Sequence, residues 1–434
     1  MSTLNPPSEH PPHGAVAPGE IAIGVIIGRL SEFFDFFVFG IAAALVFPRV
    51  FFPFAEPFTA MMYSFAIFSL AFVARPFGSL LFRVIHKRYG RGSKLTIALF
   101  MLGTATAGIA FLPGYEKIGA VSIALLALFR IAQGLALAGS WDGLPSLLAL
   151  NAPADRRGWY AMIPQLGAPL GFLLAAALFA FLTLNLSEED FLSWAWRYPF
   201  YVAFAINVVA LFARLRLVVT PEFAQLLKSR ELVPSPLGEM VRHQWPNILL
   251  GAFATLGSFA LFHLVTVFPL SWATLFTEDD ISEYLLVQVC GASLGVLTML
   301  TSGIVADRFG RRVTLAIGAG LIAVFSLVGM LPMFLQGTKV GAYLFIVFGF
   351  ALLGFTHAQA AGAINASFRS RYRYTGAVLT SDFAWLLGAA FAPMVALSIA
   401  THLGVGYVGL YLLSGAAGTL VALLLSRNLE MRDD

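Results

Sequence analysis

Arg29, Glu32 and Asp35 are three residues apart in the run RLSEFFDFF, while Arg75 lies in ARPFG and Arg130 in FRIAQG. Each run interrupts a long apolar stretch with formal charge. An ionised side chain at the centre of a membrane helix costs roughly 2.5–3.5 kcal/mol on insertion scales, so such groups face a partner, water or a moving solute rather than lipid. Carboxylates and guanidiniums in that setting can exchange protons and ion-pair partners. At ~100° per residue, the three charges of the first run share one helix face. A rise of about 1.5 Å per residue brings Glu32 to the depth of Arg75, and Asp35 to that of Arg130. Two buried pairs are therefore expected, Glu32–Arg75 and Asp35–Arg130. Ionisation is favoured when a carboxylate meets Arg, and protonation when the partner leaves a dry site, so such pairs can load and unload a proton. The bland alternative is mutual neutralisation that only fixes helix register.

Asp142 and Asp382 are the other acids inside apolar segments, and His263 and His357 the only histidines well inside them. The acids can serve a solute, end a helix or meet a loop Arg; a lone membrane His usually packs and hydrogen-bonds. No His, Cys or carboxylate spacing suits a metal, and no glycine loop cradles a phosphate. No enzymatic chemistry, cofactor or metal is expected.

Positioning these charges requires many spans. Hydrophobic residues make up 59% of the 434 and charged residues only 12%, about half the share of a soluble domain. A span needs roughly 20 apolar residues, which predicts an all-α integral membrane protein with twelve transmembrane helices. They fall near 21–46, 59–85, 95–112, 120–149, 158–183, 198–219, 247–275, 283–306, 312–335, 340–366, 374–401 and 405–426. Residues 1–20 have no basic leader and no signal-peptide core, and 427–434 form a second tail. Most of the Lys and Arg fall in alternate loops, including Arg83–Lys94, Arg156–Arg157, Arg214–Arg242, Arg308–Arg312 and Arg369–Arg373. Positive residues stay on the cytoplasmic side, so both termini are expected there.

Residues 220–246 divide the chain into halves, 21–219 and 247–426. Thr220-Pro221-Glu222 and Ser235-Pro236 each look like a helix cap followed by Pro, predicting two short surface helices in a linker. Arg88-Tyr89-Gly90-Arg91 matches Arg308-Phe309-Gly310-Arg311 at an offset of 220. Parallel repeats of this kind build many secondary transporters, with the solute near the midplane between them. Gly24/Gly28, Gly167/Gly171 and Gly291/Gly295 have the spacing that permits close helix packing.

Gly303–Arg312, GIVADRFGRR, resembles the loop signature of the major facilitator superfamily. The runs Gly28–Gly40, Ala74–Gly78, Arg130–Gly134, Trp196–Phe200 and Thr220–Phe223 are similar to its metabolite:proton symporter branch. That resemblance implies the major facilitator fold, two pseudo-symmetric six-helix bundles, and alternating access in the plasma (inner) membrane. It links Arg130 with Asp35, and with them Glu32 and Arg75, to proton coupling. It places the solute against helices one, four, seven and ten, with Arg29, Gln133 and Trp141 as candidate contacts; the in-membrane Asp142, Asp382 and His357 join them as candidates on their own chemistry. Asp307, Arg308, Arg311 and Arg312, with Arg88 and Arg91 of the other half, suit an inner gate. The chain departs from the pattern at Lys87, Ser140 and Leu150, where the family has acids. Proton-driven symport of a small polar metabolite is the expectation, with an organic anion favoured. A drug/proton antiporter and a transport-dead solute sensor are the rivals. The expected partners are solute, protons and lipid, with no nucleic acid and with a monomer sufficient.

Overall fold

The computed structural model describes residues 18–140, 145, 146, 148, 152–218, 235–329, 338–368 and 370–426. Among these, helix is the only regular structure, as lipid demands of backbone that must satisfy its own hydrogen bonds. Ten helices are long and apolar enough to cross a membrane. The first helix, α1 (Pro18–Leu45), is comparably apolar but carries three charges, Arg29, Glu32 and Asp35, at its centre, and it is a further span beside those ten. The longest helix, Pro57–Phe111, breaks at Gly90 into two spans, α2 and α3. The expected twelve are therefore present. The rest are α4 (Ala120–Gly139), α5 (Arg157–Asn185), α6 (Tyr198–Val218), α7 (Leu256–Phe276), α8 (Ile281–Phe309), α9 (Arg311–Val328), α10 (Lys339–Ala366), α11 (Arg371–His402) and α12 (Val405–Leu425).

Two boundaries differ from expectation. The turns after α2 and α8 shrink to single residues, Gly90 at φ 82° and Gly310 at φ 86°. Only a residue without Cβ adopts that conformation without strain, so the repeat seen in the sequence is a repeat of backbone geometry. The seventh span is also preceded by more helix than expected. Leu237–Phe253 is one helix with Pro236 at its cap position, and the chain turns at Ala254 and Thr255 before α7. Ser235 is not a side-chain cap there; its N–H donates to Thr375 Oγ1 at 2.9 Å. Thr220–Glu222, the other expected linker cap, lies outside the described residues.

Close approach fixes α1 in the middle of the molecule. A Cβ added at Gly167 would lie 2.5 Å from Arg29 Cβ, and one at Gly171 would lie 2.8 Å from the Phe34 N. Larger residues there would push α5 off α1. Aromatic rings fill the seam between α1, α2, α7 and α11: Phe33, Phe36, Phe72, Phe259 and Phe262 all surround Trp385 with ring centroids 4.7–5.9 Å away. Such contacts each add about 0.5–1.5 kcal/mol beyond area burial.

Candidate functional site

Three polar clusters occupy this apolar interior. The first lies within the N-terminal half. Asp35, 2% exposed, accepts a hydrogen bond from Thr106 Oγ1 at 2.6 Å and one from Gln133 Nε2 at 3.4 Å. Gln133 also donates to Thr106 at 2.9 Å and accepts from Arg130 Nη1 at 3.1 Å. Arg130 Nε donates to the Phe68 carbonyl, and its guanidinium lies 3.9 Å from the Phe39 ring centre. The direct Asp35–Arg130 ion pair expected from depth is not formed; Gln133 stands between them. The depth estimate placed the two correctly, but rise along a helix does not reveal which intervening side chain takes the space.

The second cluster centres on Glu32, and it corrects the other expected pair. Glu32 accepts from Arg29 Nη1 at 2.9 Å on one oxygen, and from Arg214 Nη1 and the Ser140 hydroxyl, both at 2.7 Å, on the other. Arg214 was assigned to a cytoplasmic loop, yet it is 4% exposed and inside the bundle. Gly28 makes room for it, since a Cβ there would be 2.9 Å from Arg214 Cδ. An arginine near a helix end can point either way, and charge counting alone sends it outward. Ser140, which replaces an acid of the related pattern, supplies a small hydroxyl where a second carboxylate would crowd Glu32.

The third cluster joins the halves. Arg75 Nε donates to Asp382 Oδ1 at 3.1 Å, and Ser79 Oγ donates to its other oxygen at 3.0 Å. Arg75 therefore pairs across the seam and not with Glu32. Cross-half pairing depends on how the bundles dock, which no single helix encodes.

Between these clusters lies a cavity of about 30 Å³ lined by Arg29, Gln165, His357, Asn365, Ser381 and Trp385, roughly the room of one water molecule. Arg29 Nε and both ring nitrogens of His357 have no hydrogen-bond partner among the described residues. Buried polar groups without partners are costly, so their gathering at one cavity marks a place built for something polar. His263 also lacks hydrogen-bond partners among the described residues, but the rings of Phe36, Phe68, Phe72 and Phe262 enclose it. Trp141 and Asp142 lie outside the described residues. Trp385, Gln165 and Asn365 were not foreseen; a Trp three residues after a membrane Asp on one helix face was the available signal.

Contacts between the halves concentrate at the end that carries the basic loops. Asp307 accepts from the N–H groups of Gly158 at 2.6 Å and Trp159 at 3.2 Å, at the start of α5. Gln359 donates to the Gly158 carbonyl at 3.2 Å, and Ser146 to Asn365 at 2.7 Å. Arg311, 7% exposed, donates to the Gly362 carbonyl at 3.1 Å. Arg308 and Arg88 are exposed, while Arg312 and Arg91 are half-buried. At the opposite end, a cavity of about 270 Å³ opens between Arg49, Thr183, Glu188, Thr274, Asp280 and Ser282, with Arg49 and Glu188 paired beside it.

Comparison with known proteins follows this geometry. The sequence profile described as Major Facilitator Superfamily matches residues 25–393. The chain is 37% identical to the Inner membrane metabolite transport protein YhjE of Escherichia coli (strain K12), over 94% of this chain and 93% of that one. It is 30% identical to the Shikimate transporter of the same organism, over 94% of each. The fold superposes on the crystal structure of a D-xylose-proton symporter with a TM-score of 0.74, covering 95% of this chain and 98% of that one at 17% identity.

Proposed function

The chain belongs to the Major Facilitator Superfamily, and on that premise we propose that it is a proton-coupled symporter of a small organic anion. It sits in the plasma (inner) membrane with both termini cytoplasmic, and residues 21–219 and 247–426 rock about a linker at 220–246. One observation carries the solute class. Among the described residues the carboxylate that Arg29 meets is Glu32, which Arg214 also holds, and Arg29 keeps its Nε unpartnered at a cavity between the halves. An incoming carboxylate satisfies that guanidinium, His357 and Gln165 complete its shell, and the Trp385 ring covers an apolar body. One relative is named for shikimate, a carboxylic acid.

The proton belongs to Asp35. A proton on its carboxyl cancels the charge that Thr106 and Gln133 now hold. Its loss restores a carboxylate that Arg130 can balance once Gln133 moves aside. The basic end is the cytoplasmic one and is closed by Asp307; the cavity beside Arg49 is the external approach. Gating thus rests on Asp307, with Arg311 bracing α9 against α10 behind it.

Reconstituted vesicles test this. An inward proton gradient is expected to raise internal organic acid above equilibrium, and Asp35→Asn to abolish the gradient's effect while solute exchange persists. Solute driven outward by that gradient would make the protein an antiporter. Gradient-driven uptake undiminished in Asp35→Asn would remove Asp35 from the mechanism.

A further inference from the structure

We propose that Arg75 is a switching cation: it grips Asp382 of the opposite half while the basic end is closed, and passes to Glu32 of its own half when the halves part there. The inference rests on the alternating-access reading above, and it links solute binding to opening.

Arg75 lies on α2 and its carboxylate partner on α11, so parting the halves breaks the 3.1 Å contact and takes Ser79 away from Asp382 as well. The Trp385 ring, 6.0 Å from the Arg75 guanidinium, leaves with the same helix. Arg75, whose side chain is 16% exposed, would then be a largely enclosed cation with neither partner, an unfavourable state. A replacement is close. Arg75, Glu32 and Arg29 line one cavity of about 20 Å³ together with Phe33, Phe36 and Trp385, so the guanidinium and the second carboxylate face a shared space.

Glu32 is not equally occupied on its two oxygens. Among the described residues, Oε1 takes Arg214 and Ser140, whereas Oε2 takes Arg29 alone. Arg29 is also the residue whose Nε is unpartnered at the neighbouring cavity with His357. A carboxylate arriving in that cavity draws Arg29 off Oε2, and the freed oxygen becomes the landing place for Arg75. The anion therefore lowers the cost of releasing Asp382. Opening before solute arrives leaves Arg75 stranded, which opposes an unloaded swing.

The test uses purified full-length protein in which Cys290, the one cysteine, exposed on the surface, is replaced by Ala. Val378→Cys then reports opening from the wall of the cavity near Arg83 and His86. A hydrophilic maleimide measures its access, with no solute required. Asp382→Asn is expected to label about tenfold faster, and Glu32→Gln about tenfold slower, as for a coupling of ordinary size. The combined variant Arg75→Asp with Asp382→Arg restores the cross-half pair but sets an acid against Glu32; it is expected to label more slowly than the parent and to transport nothing. Labelling of Glu32→Gln at the parent rate, or a combined variant that labels and transports like the parent, makes the bridge a fixed brace and overturns the proposal. Should Asp382→Asn fail to fold, those two variants decide alone. Wild-type vesicles that move no solute would sink the symporter reading, whereas the labelling rates judge the switch by themselves.

Discussion

The two tight corners after α2 and α8 share a backbone and carry opposite charges at the residue three places before the glycine. Gly90 and Gly310 adopt nearly the same positive φ, and Arg88–Arg91 repeats as Arg308–Arg311. The residue that comes three places before each glycine is Lys87 in one corner and Asp307 in the other. Asp307 reaches across the seam and holds two N–H groups at the start of α5. Lys87 is exposed. On its side the tie across the seam is Arg75 with Asp382, deeper in, while Ser235 and Glu239 hold the helix before α7 to α11 through Thr375, Arg371 and Tyr372. Duplicated backbone thus supplies two equivalent platforms, and one side chain decides which of them fastens the opposite bundle.

The comparison can be broken most directly at Asp307. Hydrogen bonds to a charged acceptor contribute about 1.5–3 kcal/mol each, so Asp307→Ala is expected to lower amide-exchange protection of Gly158 and Trp159 at least tenfold. Unchanged protection, followed by mass spectrometry, would show that the N–H groups do not depend on this carboxylate. The shared backbone is tested by Gly90→Ala and Gly310→Ala, which are expected to cost about 1–3 kcal/mol each, because both glycines adopt an extended positive-φ conformation that residues with a Cβ avoid. Thermal melts that separate the two variants widely would mean the corners are not equivalent. Lys87→Asp offers the missing acid to the α11 side. Protection near Tyr374 and Thr375 is expected to rise by less than about 1 kcal/mol, the scale of an exposed charge contact, with α5 unaffected.

The smallest effect concerns Glu239. The Tyr372 hydroxyl and then the Arg371 guanidinium hold its carboxyl below the usual 4.5. A lowered value means that its tie to α11 is fully present above pH 4.5 and weakens as pH falls through the shifted value. Glu239→Gln should therefore melt slightly below wild type at neutral pH, with the gap closing as pH falls through the lowered value. A difference that persists in acid would point to packing instead of charge.

Much of this was legible from spacing. Apolar run lengths gave the twelve spans, and the positions of Arg29, Glu32, Asp35, Arg75 and Arg130 along their helices put them at the right depth. Pairing was not legible. Depth matched Glu32 with Arg75 alone and left Arg214 in a loop, whereas its pairing with Arg29 and Arg214 depends on Gly28 leaving a gap and on Ser140 being small. Asp35 and Arg130 were matched correctly in height, yet Gln133 took the space between them. Asp382 found its partner only through docking of the bundles. Asp307 was singled out by its resemblance to a signature, but its acceptor role toward backbone N–H groups leaves no trace in side-chain pattern.

The rings packed around Trp385 have an electrical consequence. Protons travel along files of water, and a dry hydrophobic constriction interrupts such a file. With Phe33, Phe36, Phe72, Phe259 and Phe262 closed on one indole, the seam is a dry constriction of that kind. Under the symport proposed above, the closed stack acts as an insulator, and protons cross only when cargo forces the rings apart.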